Sequence, residues 1–185
     1  STGHVRIYDY NGSSWAQVGA DIDGETLGGH TGEVSISSDG SRVAVGAGQA
    51  AQSYRGQVII YDFNGTAWLK VGANIVGEVI GDRSGSGGLS LSSDGSRVAI
   101  GASSNDGNGS NSGHVRVFQY QVISGTATWT QLGADIDGEA AGDSSGASVS
   151  LSSDGSRVAI GAPFNDGNGS DSGHVRIYDY NGTAW

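Results

Sequence analysis

The thirteen residues SLSSDGSRVAIGA, Ser90 to Ala102, recur letter for letter from Ser150 to Ala162, and a close copy, SISSDGSRVAVGA, covers Ser35 to Ala47. Such repetition constrains the fold more than composition does, because a unit too small to bury its own apolar faces must stack on its copies. A second phrase keeps step with the first. Gly3, Gly56, Gly113 and Gly173 each open a variant of GHVRIYDYNGTAW, at spacings of 53, 57 and 60 residues. Between them lie a GADIDGE-type segment, the first phrase and a glycine-rich loop, so the unit is about sixty residues long.

Each unit reads as four short strands. Val34 and Ile36, Leu89 and Leu91, and Val149 and Leu151 alternate with serine, and Ser-Asp-Gly then breaks the run as a turn. Val43 and Val45, Val98 and Ile100, and Val158 and Ile160 alternate around alanine in the second strand. The third strand, HVRIYDY and its variants, ends in Asn-Gly at Asn11, Asn64 and Asn181, which predicts a type I′ hairpin turn into a fourth strand opened by Trp15, Trp68, Trp129 or Trp185. One copy inserts QVISGTAT at this turn, between Tyr120 and Trp129. No capped helical period occurs, so the expected fold is all-β: repeated four-stranded antiparallel blades of a β-propeller, about three of them, forming a partial propeller. The array divides as a half-blade over 1–33 (strands three and four), blades over 34–88 and 89–147, and an incomplete blade over 148–185.

Composition excludes several functions. The net charge is −10, from 19 acidic against 9 basic residues, and Lys70 is the one lysine. Such a surface repels phosphate backbones and anionic lipid, so nucleic acid is not an expected partner. No apolar run approaches the roughly 20 residues of a membrane span, so membrane insertion is not expected either. The 34 glycines with only Pro163 would suit disorder, but the alternating apolar residues and four tryptophans predict a packed core. Without cysteine there is no disulfide framework and no thiolate ligand or nucleophile. The absence of methionine and of a signal-like apolar start reads as a portion of a longer product.

The run GDSSGASVSLSSDGSRVAIGAP, Gly142 to Pro163, followed by a loop and SGHVRIY, Ser172 to Tyr178, resembles the FG-GAP repeats of integrin α-subunit propellers and their bacterial and algal relatives. All three units share the pattern. The family's Phe-Gly is Ser84-Gly85 and Ser145-Gly146 here, and only Gly161 to Pro163 keeps Gly-Ala-Pro. The resemblance implies an extracellular or cell-surface, non-catalytic module that binds protein or glycan through its loops. It also implies calcium loops of the D-x-D-x-D-G type in the first hairpin. That place holds SSDGS, with Asp39, Asp94 or Asp154 alone among serines, where Ca²⁺ would want six to eight oxygen ligands.

Oxygen ligands reappear after the second strand. Asp106, Asn108 and Ser110, and Asp166, Asn168, Ser170 and Asp171, sit at or near alternate positions between glycines, as in the first half of a calcium loop. These are the candidate Ca²⁺ ligands, with a plain Asn/Asp/Gly connection as the alternative. In the DIDGE segments, Asp21, Asp23 and Glu25, and Asp135 to Glu139, either converge on a metal or form a solvated turn; the middle unit writes NIVGE, Asn74 to Glu78. His4, His114 and His174 share one repeat position, filled by Gln57 in the other copy, and read as strand-start hydrogen-bonding residues too far apart to form one centre. His30 stands alone in a loop.

No nucleophile elbow, phosphate cradle or unique carboxylate pair appears, so no enzyme is expected from this segment. Most of the tryptophans and Tyr8, Tyr10, Tyr61, Tyr120, Tyr178 and Tyr180 read as packing between blades, and a minority as a possible glycan or peptide rim. Asn11, Asn64, Asn108, Asn168 and Asn181 begin Asn-Gly-Ser/Thr sequons and are glycosylation candidates in a secreted chain. Two alternatives stay open. The near-identity of the units equally suits a structural subunit of a surface appendage or filament, built from copies of itself, and a catalytic domain outside the segment would make it part of an enzyme. The exposed edges of a partial propeller need covering by further repeats or by other copies, so the isolated segment is expected to oligomerise.

Overall fold

The computed structural model describes residues 3–25, 31–49 and 54–185; His30 lies outside them. Among these residues every regular element is a strand: β1 (His4–Val5), β2 (Tyr8–Tyr10), β3 (Trp15–Gln17), β4 (Ile22–Asp23), β5 (Thr31–Ile36), β6 (Arg42–Ala47), β7 (Gln57–Phe63), β8 (Trp68–Lys70), β9 (Ile75–Val76), β10 (Leu89–Leu91), β11 (Arg97–Ala102), β12 (His114–Ile123), β13 (Thr126–Gln131), β14 (Ile136–Asp137), β15 (Ser148–Leu151), β16 (Arg157–Ala162) and β17 (His174–Asp179). All pairings between strands are antiparallel. The order is β5-β6-β7-β8 in one sheet and β10-β11-β12-β13 in the next, with β9 and β14 pairing β7 and β12; β15-β16-β17 make a third, and β1-β4 and β2-β3 precede them.

Three local expectations need correction. The fourth strand is split: β13 ends at Gln131 and β14 resumes at Ile136, both on β12. Gly133 between them adopts φ +78°, a bend that a side chain would strain. The insertion after Tyr120 is no loose loop. It lengthens the hairpin, with Gln121, Val122 and Ile123 opposite Thr128, Ala127 and Thr126. Ser124 and Gly125, at φ +50° and +80°, close it in the two-residue manner that I′ turns require. The Asn-Gly turns, in contrast, are four-residue loops. Asn64 stays out of positive φ, and its Oδ1 accepts the N–H groups of Thr66 and Ala67 at 2.9 and 2.8 Å, so an Asx turn replaces the expected type I′ turn.

The sheets stack through the alternation read in the second strand. Val43 and Val45 pack back on Ile7 and Ile22 of the first unit. Val98 and Ile100 pack back on Ala44, Ile60 and Ile75, and Val158 and Ile160 on Ala99, Val115, Val117 and Ile136. Large side chains thus point to the preceding sheet and alanine faces the following one, which lets successive sheets approach closely. The approach is measured at Gly101, where a Cβ would stand 2.0 Å from the carbonyl oxygen of Gly146; Gly46 stands the same way against Gly85. Hydrogen bonds fix the offset. Ser38 N–H donates to Ser93 O and Ser93 N–H to Ser153 O, both at 2.9 Å. The indole N–H groups of Trp68, Trp129 and Trp185 donate back to Val18, Val71 and Leu132 carbonyls at 2.9, 3.1 and 2.7 Å.

Candidate functional site

The Ser-Asp-Gly hairpins satisfy their own carboxylates. Asp39 accepts the Ser37 hydroxyl at 2.7 Å, the Ser41 N–H at 3.0 Å and the Ser41 hydroxyl at 2.8 Å. Asp154 repeats this with Ser152 and Ser156. The Ser37 and Ser152 hydroxyls, followed by the Ser41 and Ser156 donors, pull both carboxyls down to about 2. One carboxylate with its oxygens turned to hydroxyl and amide donors does not fit the D-x-D-x-D-G calcium loop, which needs several converging acidic ligands.

The candidate calcium loops are also tied internally, on exposed connections. Asp106 Oδ1 accepts the Asn111 N–H at 2.7 Å, and Asp166 Oδ1 the Asp171 N–H at 2.8 Å. The Asn108 amide NH₂ donates to the Gly138 and Glu139 carbonyls at 2.8 and 3.2 Å. The Ser110 hydroxyl accepts from Asn111, and the Asn168 N–H donates to Ser172. Among the sequons, Asn108 therefore has the amide nitrogen that would carry a glycan engaged as a donor, as does Asn11. Asn64 and Asn181 bond through Oδ1 alone and stand exposed at hairpin tips, as does Asn11, whose Nδ2 meets the Ser14 hydroxyl at 3.1 Å; Asn168 is exposed as well.

The DIDGE carboxylates diverge. Asp21 turns to Gln17 and Arg6 within its own unit, which hold it below the usual carboxylate range, Gln17 contributing most. Glu25 reaches the next unit, where Lys70 Nζ lies at 3.0 Å and the Asn74 amide at 2.9 Å. Burial opposes ionisation there, but Asn74 and Lys70 outweigh it and keep Glu25 below its ordinary value.

Sequence reasoning missed what the same geometry does one unit on. Glu78 crosses to His114, with Nδ1 4.0 Å from Oε2, and to Arg116, with Nη1 3.6 Å from Oε1. Asp135 joins them: ligand atoms of Glu78, His114 and Asp135 lie within 4.8 Å of one another. These residues line an open cavity of about 440 Å³ together with Asn105, Asp106 and Asp137. His114 is 1% exposed, and its Nε2 has no hydrogen-bond partner, which corrects the strand-start reading. Burial, followed by the Arg116 charge, pushes its pKa down, so the ring is neutral at pH 7. Glu139, His174 and Arg176 repeat the arrangement at 3.5 and 3.4 Å. A signal was present in the sequence: His and Asp change together to Gln57 and Asn74 in the middle unit, and the structure joins those two amides at 3.0 Å.

Among solved structures, the chain is similar to a protein of Bacteroides uniformis provisionally assigned as a 6-phosphogluconolactonase, with a TM-score of 0.64 and 13% identity over 97% of this chain and 45% of that one. It is also similar to TolB from Acinetobacter baumannii, with a TM-score of 0.49 and 16% identity over 97% of this chain and 36% of that one. The chain spans less than half the length of either, and at such identity the first likeness speaks for the fold alone. No curated protein matches. The model of the FG-GAP repeat family matches residues 134–178, from the split outer strand of one sheet through the inner strands of the next. That segment is an FG-GAP repeat.

Proposed function

We propose that the sheets are blades of a β-propeller, divided over 1–33, 34–88, 89–147 and 148–185, and that the segment is a non-catalytic recognition module at the cell surface, binding protein or glycan through its loops. The observation that carries this reading is the constant offset between successive sheets: the tryptophan hydrogen bond recurs at three junctions and the serine hydrogen bond at the last two of them. A constant rotation per unit is what radial stacking requires, and it spends the recurring serine and tryptophan polar groups on packing. The loops are free of that duty; 104–112 and 164–172 are nearly identical in sequence, and 48–56 departs from both. Calcium at the Asp106 and Asp166 loops belongs to the same proposal and would stiffen them.

Two assays test it. Beads coated with the segment are expected to retain a defined glycan or protein from a purified panel, with retention lost on exchanging the 104–112 and 164–172 loops for Gly-Ser loops of equal length. Hydrolysis of 6-phosphogluconolactone should not exceed the buffer rate; a rate above it that falls in His114→Gln would overturn the non-catalytic reading. The second reading, a structural subunit of an appendage, is favoured by the identity of Ser90–Ala102 with Ser150–Ala162. It expects concentration-dependent filaments in light scattering and an empty panel.

A further inference from the structure

We propose that Glu78, His114 and Asp135 form a binding site for a divalent transition-metal ion of the Zn²⁺ class, bridging two successive sheets. Nδ1 of His114 and one carboxylate oxygen each from Glu78 and Asp135 supply the ligands, and water from the open side of the cavity completes the shell. Glu78 belongs to one unit, and His114 and Asp135 belong to the next. The ion would therefore fasten the junction and sit beside the Asp106 loop, which lines the same cavity.

Three observations carry this. The first is the ligand set. Imidazole with two carboxylates is a Zn²⁺-type donor combination, whereas Ca²⁺ prefers oxygen alone. A 4.8 Å spread is wider than a tetrahedral edge built on bonds of about 2.0 to 2.1 Å. Glu78 is exposed, and turning its carboxylate on the Arg116 contact would bring Oε2 inward.

The second is the buried imidazole, whose Nδ1 is the atom turned to Glu78 yet stands 4.0 Å from its Oε2, beyond hydrogen-bond reach. Nε2, which is unpartnered as well, is not the ligating atom. A buried polar side chain without a partner costs stability unless a ligand or water meets it.

The third is a comparison inside the chain. At the preceding junction the equivalents are Glu25, Gln57 and Asn74, and there a built-in cation, Lys70, sits 3.0 Å from Glu25. That junction is neutral, one carboxylate against one ammonium. At the Glu78 junction the lysine's place is taken by Gln131, which bonds Asp135 at 2.7 Å. Arg116 offsets one of the two carboxylates and engages Oε1 of Glu78, leaving Oε2 toward His114. Of the two ligating carboxylates one is left without a counter-charge, beside the imidazole, and Asp106 and Asp137 line the same cavity.

The test uses the 185-residue protein stripped with chelator and titrated with Zn²⁺ against a chromophoric competitor, with Co²⁺ absorption as a second readout. One equivalent is expected to bind at micromolar concentration or tighter, with visible d–d bands in the Co²⁺ form. The double variant His114→Gln, Asp135→Asn recreates the Gln57 and Asn74 pair that the fold already uses, and it should weaken this binding at least tenfold. Glu78→Gln, at an exposed position, should do the same with an unchanged circular dichroism spectrum. Millimolar Ca²⁺ should not displace the ion. No stoichiometric binding, equal affinity in both variants, or displacement by Ca²⁺ at equal concentration would each overturn the proposal, as would a tenfold loss in His174→Gln with none in the Glu78 variant.

Discussion

Truncating Trp129 to alanine tests how the sheets are held together. Its indole is partly buried against the cluster of Ile60, Ile75, Leu89 and Phe118, its N–H donates to Val71 of the preceding unit at 3.1 Å, and Tyr120 lies 5.4 Å away, centroid to centroid. The Arg42 guanidinium, from the preceding sheet, sits 4.4 Å from the Tyr120 centroid and 5.6 Å from that of Trp129. A fully buried Trp→Ala change costs about 3 to 5 kcal/mol. Discounting for partial exposure leaves about 2 to 3, to which the lost hydrogen bond adds about 1. Trp129→Ala should thus cost about 3 to 4 kcal/mol, and Trp129→Phe, which loses chiefly the hydrogen bond, about 1. Trp15 has the same repeat position but is 68% exposed. Trp15→Ala should cost less than about 1 kcal/mol. Urea denaturation followed by far-UV circular dichroism gives all three values, with the slopes compared to check that each variant unfolds as one unit. A loss below about 1 kcal/mol for Trp129→Ala, or equal losses at Trp129 and Trp15, would refute the clamp.

Gly101→Ala places a methyl 2.0 Å from the Gly146 carbonyl oxygen, and since both partners are backbone it should cost about 3 kcal/mol, read from the urea midpoint. Ser145→Ala should go the other way: its hydroxyl is fully buried without a partner, so melting temperature is expected to hold or rise, and a loss above about 1 kcal/mol would reveal a hidden partner. Asp39 and Asp154, lowered from 3.8 to about 2, contribute stability in full above pH 4, and this is lost as pH falls from about 4 toward 2. The double variant Asp39→Asn, Asp154→Asn should flatten the melting temperature against pH in that window. Calcium should raise the melting temperature and EDTA lower it if the Asp106 and Asp166 loops bind the ion; identical curves would leave them as plain connections.

Where the sequence was legible, one residue fixed one local outcome. Alternation in RVAIGA announced which side chains enter a core, because period two leaves no other choice. The Ser-Asp-Gly turns were equally plain, since Asp39 closes its loop with neighbours two residues away. Legibility failed where a side chain had two uses. Asn-Gly serves both a type I′ turn and an Asx loop, and the longer loop decides between them. QVISGTAT looked like a loop because its position was a loop in the other copies, yet its own pattern supports a hairpin with Ser124-Gly125 at the tip. The Glu78 cluster was least visible, because its members lie 36 and 21 residues apart in sequence and in two units.

That cluster shows how a repeat built from nearly identical units can still be non-uniform. Among the described residues each junction sets a partly exposed glutamate from one unit against the third strand of the next, and Gly77 and Gly138, packed on the backbone of Arg55 and Ser112, aim the following residue across. A carboxylate so placed needs a positive partner. The chain supplies three solutions: Lys70 with two amides for Glu25, Arg116 with His114 and Asp135 for Glu78, and Arg176 with His174 for Glu139. The first is self-contained. The second carries an additional acid that its own arginine does not neutralise, so it is the junction where an external cation changes the balance. Substituting Gln131→Lys would import the first solution into the second. The metal affinity at Glu78 should then fall while thermal stability in chelator rises, and a variant that bound Zn²⁺ as tightly as the parent would show that charge balance does not govern this junction.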